Sequence, residues 1–173
     1  MGIFGSLGGM GIVRADAPPE LKTKVEEQTK KLSFLSTDTT VLEAVIAFNA
    51  NPPAVAVDMT QEKWKDLTVL SPEVKTFTKN ALATYLRGKK TDVISELFVS
   101  GANGGKVAFL AKTSNFSHKG KPKHDVPMKG KVWTGSVEVD ESTGKQQIQI
   151  GLPVLEKGKA IGSIVVALDV TKL

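Results

Sequence analysis

Cysteine is missing from all 173 residues. Its absence removes a disulfide framework, a thiol nucleophile and any thiolate metal site, while leaving the compartment open. Long apolar runs are missing too. The longest spans about ten residues, well short of the ~20 a membrane helix needs. No Gly-x-Ser-x-Gly elbow, phosphate-binding glycine loop before a helix, His-Glu-x-x-His or Cys-His pair occurs, so the sequence offers no catalytic machinery and implies no cofactor. Histidine is limited to His118 and His124. Their spacing matches neither one helical face nor a zinc signature, and the surrounding lysines would repel a cation, which argues against a metal site.

The second half of the chain reads as five short strands. Asp92 to Ser100 is rich in β-branched and apolar residues, and Gly101-Ala102-Asn103-Gly104-Gly105 supplies the positive-φ positions of a hairpin that returns through Lys106 to Thr113. Val132 to Val139 and Lys145 to Val154 form a second hairpin around Asp140 to Gly144. Ile148, Ile150 and Leu152 share one face of the latter, and Gln147 and Gln149 the other. After a turn at Leu155 to Lys159, Ala160 to Val170 is the most apolar strand, which predicts a central position covered on both faces.

The first half has helical periodicity. Pro18-Pro19 precede Leu21, Val25, Gln28, Leu32 and Leu35 at helical spacing. Ser36 to Thr40 can cap a second helix carrying Val41, Val45 and Phe48, which stops at Asn49 to Pro53. A third helix is expected from Ser71 and Pro72 to Gly88. With 173 residues, the chain can bury roughly 70% of its unfolded surface around one core.

The order and spacing of Thr37-Asp38 with Val41 to Ile46 and Asn49, an isolated Trp64, Glu96 to Val99 with the Asn103-Gly104 turn, Val107 to Phe109, Ser142 to Gly144, Pro153-Val154, and Ile161-Gly162 to Leu168-Asp169-Val170 resemble a Cache domain, also called a PDC sensor domain. The resemblance covers roughly residues 20 to 173. It implies an α+β, PAS-like single-Cache fold: a five-stranded antiparallel sheet, a long N-terminal helix packed on one face, a small-molecule pocket on the other, and a location outside the cytoplasm. Residues 16–173 would form this domain and residues 1–15 a weak or truncated signal segment. Val13-Arg14-Ala15 before Asp16 offers the small residues a signal peptidase prefers, without a basic n-region.

Charge is concentrated in one connection. Between residues 112 and 131, six lysines against Asp125 carry +5, the formal net charge of the whole chain. Two readings stay open: a solvated loop, or an anion funnel over the pocket mouth, where the resemblance places this connection. Nucleic-acid binding is disfavoured, because the stretch has no arginine, only Phe116 as an aromatic, and no reader motif. Trp133 reads either as core or as a pocket wall. Asp169 shares a strand face with the small residues Ser163 and Ala167. In amine- and amino-acid-binding Cache domains an Asp at the corresponding place receives the ligand ammonium, but the aromatic and arginine cluster that accompanies it there is replaced here by Lys119 to Lys131.

The expectation is a non-catalytic, extracytoplasmic module that captures a small organic ligand, an anion being favoured, between the sheet and the loop of residues 113–131. Its ligand-binding residues would be Thr113, Lys121, Lys123, His124, Trp133 and Asp169. A protein partner or receptor would receive the signal. The alternative is a structural or assembly partner in the periplasm, with its pocket filled by its own side chains and its basic loop docked on an acidic protein.

Overall fold

Helix starts in this chain are set by proline and by short polar side chains. The computed structural model describes residues 17–140 and 144–173; the expected signal segment and the Ser142-Thr143 turn lie outside the described residues. Helix α1 (Pro19–Leu32) has proline at its first position, where an N–H would be unpaired anyway. Glu20 in its first turn and Lys30 and Lys31 in its last complement the helix dipole. A 3-10 turn over Ser33–Thr37 follows. Asp38 then caps α2 (Thr39–Ala50), its Oδ1 accepting from the N–H groups of Thr40 at 3.0 Å and Val41 at 3.2 Å. The same carboxylate accepts from the Tyr85 hydroxyl, and that bond pushes the phenol up to about 12.

Between residues 54 and 88 two stretches differ from the sequence reading. The single helix expected from Ser71 to Gly88 is two helices, α5 (Pro72–Thr78) and α6 (Ala81–Arg87). Asn80 makes the break: its Oδ1 accepts from the Ala83 N–H at 2.8 Å and its Nδ2 donates to the Val107 carbonyl at 2.8 Å. A new cap plus a tertiary bond outweighs a continued helix. Ahead of them lie two unforeseen short helices, α3 (Ala54–Val57) and α4 (Gln61–Asp66), the latter turning Trp64 fully inward. Elements of one turn leave too little periodicity to read.

The strands are β1 (Ile94–Gly101), β2 (Lys106–Phe109), β3 (Trp133–Val139), β4 (Gln146–Glu156) and β5 (Lys159–Asp169), in the order β2-β1-β5-β4-β3 and antiparallel throughout. The most apolar strand is therefore the central one, as its composition predicts. The turn between β4 and β5 is only Lys157-Gly158, both at positive φ (48° and 81°), tighter than the turn expected over Leu155 to Lys159. Edge strand β3 has its register broken between Thr134 and Val137.

One face of the sheet carries the main core. Leu97, Val99, Ile150, Leu152, Ile164, Val166 and Leu168 pack against Val25 and Leu32 of α1, Leu35 of the 3-10 turn, Val41 and Val45 of α2, and Leu86 of α6. Helices α1, α2 and α6 lie on this side, so the opposite face is left to α4, α5 and the second half of the chain.

Candidate functional site

That opposite face is formed by Lys106 and Phe109 of β2, Glu96, Phe98 and Ser100 of β1, Ser163, Val165, Ala167 and Asp169 of β5, Gln147, Gln149 and Gly151 of β4, and Trp133 of β3, as the pairing register requires. It divides into three zones.

At the β2 side an aromatic plug closes the face. Trp64 meets Phe109 edge-on at 5.7 Å between centroids, Phe77 stacks on Phe109 at 5.9 Å, and Phe116 tilts against Trp64 at 5.3 Å. Trp64 Nε1 donates to the Thr113 carbonyl at 2.7 Å, fixing the start of the loop.

In the middle the loop itself is seated on the sheet by polar contacts. It forms a short helix, α7 (Pro122–Asp125), followed by a 3-10 turn over Pro127–Lys129. His124 Nδ1 shares a 2.7 Å hydrogen bond with Ser163 Oγ, and Lys123 Nζ donates to Gln149 Oε1 at 2.9 Å. The Lys106 ammonium, fully buried, is hydrogen-bonded to His118 Nδ1 and lies 3.6 Å from the centre of the Phe98 ring. Desolvation dominates the electrostatics here. It lowers Lys106 well below its ordinary value and His118 to about 2, and it lowers Lys123 and His124 as well. Burial also raises Glu96, with Lys123 and Lys106 pulling the other way. There is no open space between loop and sheet at Gly151: a Cβ there would stand 2.8 Å from the Lys123 carbonyl oxygen and 3.0 Å from Pro127.

Space opens at the third zone, the end of the sheet where β1 begins and β5 finishes. A cleft of about 560 Å³ is lined by the cations Arg87, Lys90, Lys112, Lys145 and Lys172, by the carboxylates Asp92, Glu96, Asp140 and Asp169, and by Thr91, Ser95 and Gln147. Asp169 accepts from the Thr171 hydroxyl at 2.6 Å and N–H at 3.0 Å and pairs with Lys145 at 3.7 Å. Those bonds, the Thr171 hydroxyl first, hold its carboxyl below the usual range. Ser95 Oγ donates to Gln147 Oε1 at 3.2 Å on the floor.

The residues expected to bind ligand are thus not gathered at one place. Asp169 lines the cleft. Lys123 and His124 reach the sheet but are engaged by Gln149 and Ser163. Thr113 is buried with its hydroxyl donating to the Asn115 carbonyl at 2.6 Å, and Lys121 faces solvent. Trp133 sits on the far strand opposite Gly151, with its ring over Gly135. Sequence reasoning did not name Glu96, Lys106 or Gln149 as site residues, and of the basic rim it singled out only Lys112, as part of the basic connection. Glu96 and Lys106 had a visible signal, since each is a charge inside an otherwise apolar strand. Arg87 and Lys90 had none, because only the tertiary fold brings the end of α6 to the sheet.

The chain has the fold of Cache, or PDC, sensor domains. Its structure matches the sensor domain of the V. cholerae histidine kinase DctB with a TM-score of 0.50 and 12% identity, over 88% of this chain and 53% of that one. The sensory domain of the Campylobacter jejuni chemoreceptor Tlp3 (CcmL) with isoleucine bound matches at a TM-score of 0.41 and 16% identity, over 88% of this chain and 64% of that one. The ligand-binding domain of the Pseudomonas aeruginosa PAO1 amino acid chemoreceptor PctC in complex with GABA gives 0.39 and 11%, over 86% and 62%. This chain spans about half the length of the DctB domain. No family model matches the sequence, and no curated protein matches it. Among the described residues, no helix is long and apolar enough to cross a membrane.

Proposed function

We propose that this protein is a non-catalytic sensor module, acting outside the cytoplasm, which binds a small organic ligand in the cleft at the Asp169 end of the sheet. The observation that carries the reading is the cleft itself: about 560 Å³ of open space on the face opposite the core, ringed by side chains of both charges. Five cations stand there against four carboxylates. Asp169 is already paired with Lys145 and bonded to Thr171, so its charge is largely engaged within the protein. An organic anion that also offers hydrogen-bond donors fits this ring, its acidic group toward Arg87, Lys90, Lys112 and Lys172 and its donors toward Gln147 and Asp169. The fold supports a sensing role without naming the ligand.

The test is a thermal-shift series with carboxylates, amino acids, phosphates, amines and purines at low and moderate salt. A binding ligand at a hundredfold excess over its Kd should stabilise the protein by about 2.7 kcal/mol. The shift should vanish when Lys90→Ala is combined with Lys172→Ala and persist in Trp133→Ala, whose side chain lies outside the cleft. A shift lost only in Trp133→Ala would move the site away from Asp169.

One observation favours a second reading. The middle of the face is filled by the protein's own His118, Lys123 and His124, leaving Lys119, Lys121, Lys129 and Lys131 pointing outward. These suit docking onto an acidic protein. A flat thermal series, with salt-sensitive binding to an acidic partner, would select it.

A further inference from the structure

The cleft and the seated loop meet at one side chain. Gln149, buried on β4, donates from Nε2 to Glu96 Oε2 at 3.4 Å and accepts at Oε1 from Lys123 Nζ at 2.9 Å. This arrangement has a polarity. Turning the amide over would set its NH₂ against an ammonium and its oxygen against a carboxylate, so Lys123 and an anionic Glu96 together fix the orientation of Gln149, and the bond to Glu96 is strongest while the carboxylate is charged.

Glu96 has a second role. It attracts both ammonium groups held under the loop, Lys106 and Lys123, and so opposes the effect of their burial. No other carboxylate attracts Lys106 to a comparable degree, while Lys123 is also drawn to Glu138. Every element packed around Glu96 presents a charged or polar group: Lys106 from β2, Lys123 from α7, Gln149 from β4, and across the cleft Lys112, Asp140 and Lys145, with Asp169 from β5. Lys123 is also the joint on the loop side. Its carbonyl rests over Gly151 and its neighbour His124 is bonded to Ser163, so displacing Lys123 displaces α7.

We propose that Glu96 is a counter-ion gate: while it is anionic, α7 stays seated, and when a proton, or a hydrogen-bond-donating cationic group carried by a ligand entering the cleft, neutralises it, its hold on Gln149 weakens, Lys106 and Lys123 lose their compensation, and residues 118–130 lift from the sheet. Binding in the cleft would thereby be converted into exposure of the basic loop. The trigger rests on the cleft being the ligand site, as proposed above, whereas the gate itself is testable with no ligand present.

The experiment is hydrogen exchange on the full chain, following the amides of residues 118–130 with those of β4 and β5 as internal reference. Glu96→Gln, which keeps the shape and removes the charge, should speed exchange in 118–130 about tenfold, and Gln149→Leu should do the same, with β4 and β5 unchanged. Asp140→Asn, a charge loss elsewhere in the cleft, should leave the loop as in the parent. Adding Lys123→Met to Glu96→Gln should restore much of the protection, because of the two uncompensated ammonium groups the one carried by α7 is then gone; a merely structural role for Glu96 would not be rescued this way. Parent-like exchange in Glu96→Gln, equal loosening by Asp140→Asn, or no rescue by Lys123→Met would each overturn the gate while leaving the ligand reading to its own thermal test.

Discussion

The two faces of the sheet are built on different principles. Beneath the helices, Leu97, Val99, Ile150, Leu152, Ile164, Val166 and Leu168 are buried hydrocarbon with few polar atoms to satisfy. Beneath the loop, Lys106, His118, His124, Gln149 and Ser163 are buried as well, and each must find a partner. Ser100 Oγ is the buried side-chain polar atom among the described residues left without one. Equal burial therefore carries opposite energetic signs. The apolar face contributes stability in proportion to area, whereas the polar face costs desolvation that its hydrogen bonds only partly offset. That difference separates a scaffold from a face able to change.

The comparison breaks most visibly on the helix side. Leu97→Ala, at a fully buried position, should cost about 3 kcal/mol in urea denaturation; a loss well under 1 kcal/mol would mean the helical layer is loosely packed. On the loop face the sign should reverse. Lys106→Met replaces a buried ammonium with a thioether of similar length and should raise stability by about 1 kcal/mol at neutral pH. It should also flatten the pH profile. The folded pKa of Lys106 lies well below 10.5, so the unfolded chain binds a proton that the folded one does not, and parental stability should climb as the pH rises toward 10.5. A destabilised Lys106→Met would show that the ammonium is fully compensated.

Acid sharpens the contrast further. With His118 held at about 2 against 6.5 in the unfolded chain, its contribution is complete above pH 6.5 and is lost as the pH falls toward 2. His118→Phe should remove that part of the acid dependence, and an unchanged midpoint of acid unfolding would argue against a buried neutral imidazole. Smallest of all is the solvent side of α1, where Glu20 and Lys24 stand 3.8 Å apart and exposed. Glu20→Ala should change stability by less than about 0.5 kcal/mol, giving a baseline for the other substitutions.

The helix-facing layer was legible in the sequence because burying one side of a strand writes a period of two into it, and Ile148, Ile150 and Leu152 carry that period directly. Turn glycines and proline helix starts were legible for the same local reason. The other face was readable only in part. Gln147 and Gln149 were legible as one face of their strand and Ser163 and Asp169 as one face of theirs, but that the two faces join, and where space opens on them, depended on the strand register and on how far the loop descends. The loop's depth is set by Gly151, whose missing side chain admits the Lys123 carbonyl, and by the pairing of His124 with Ser163, 39 residues apart. The break at Asn80 is similar: its amide looks like any helical asparagine until Val107 offers a carbonyl. Local pattern encodes elements, while site geometry arises from contacts between residues distant in the chain.

The interrupted register of β3 has a consequence for how copies of this protein behave in a crowded solution. An antiparallel sheet of five strands leaves two borders whose backbone groups could recruit strands from other molecules. At one border β2 is only four residues long and at the other the shift between Thr134 and Val137 spoils the straight run, although Val137 and Val139 are exposed there. Neither border offers a long template for cross-β stacking, so the irregularity in β3 works as a safeguard against fibril growth.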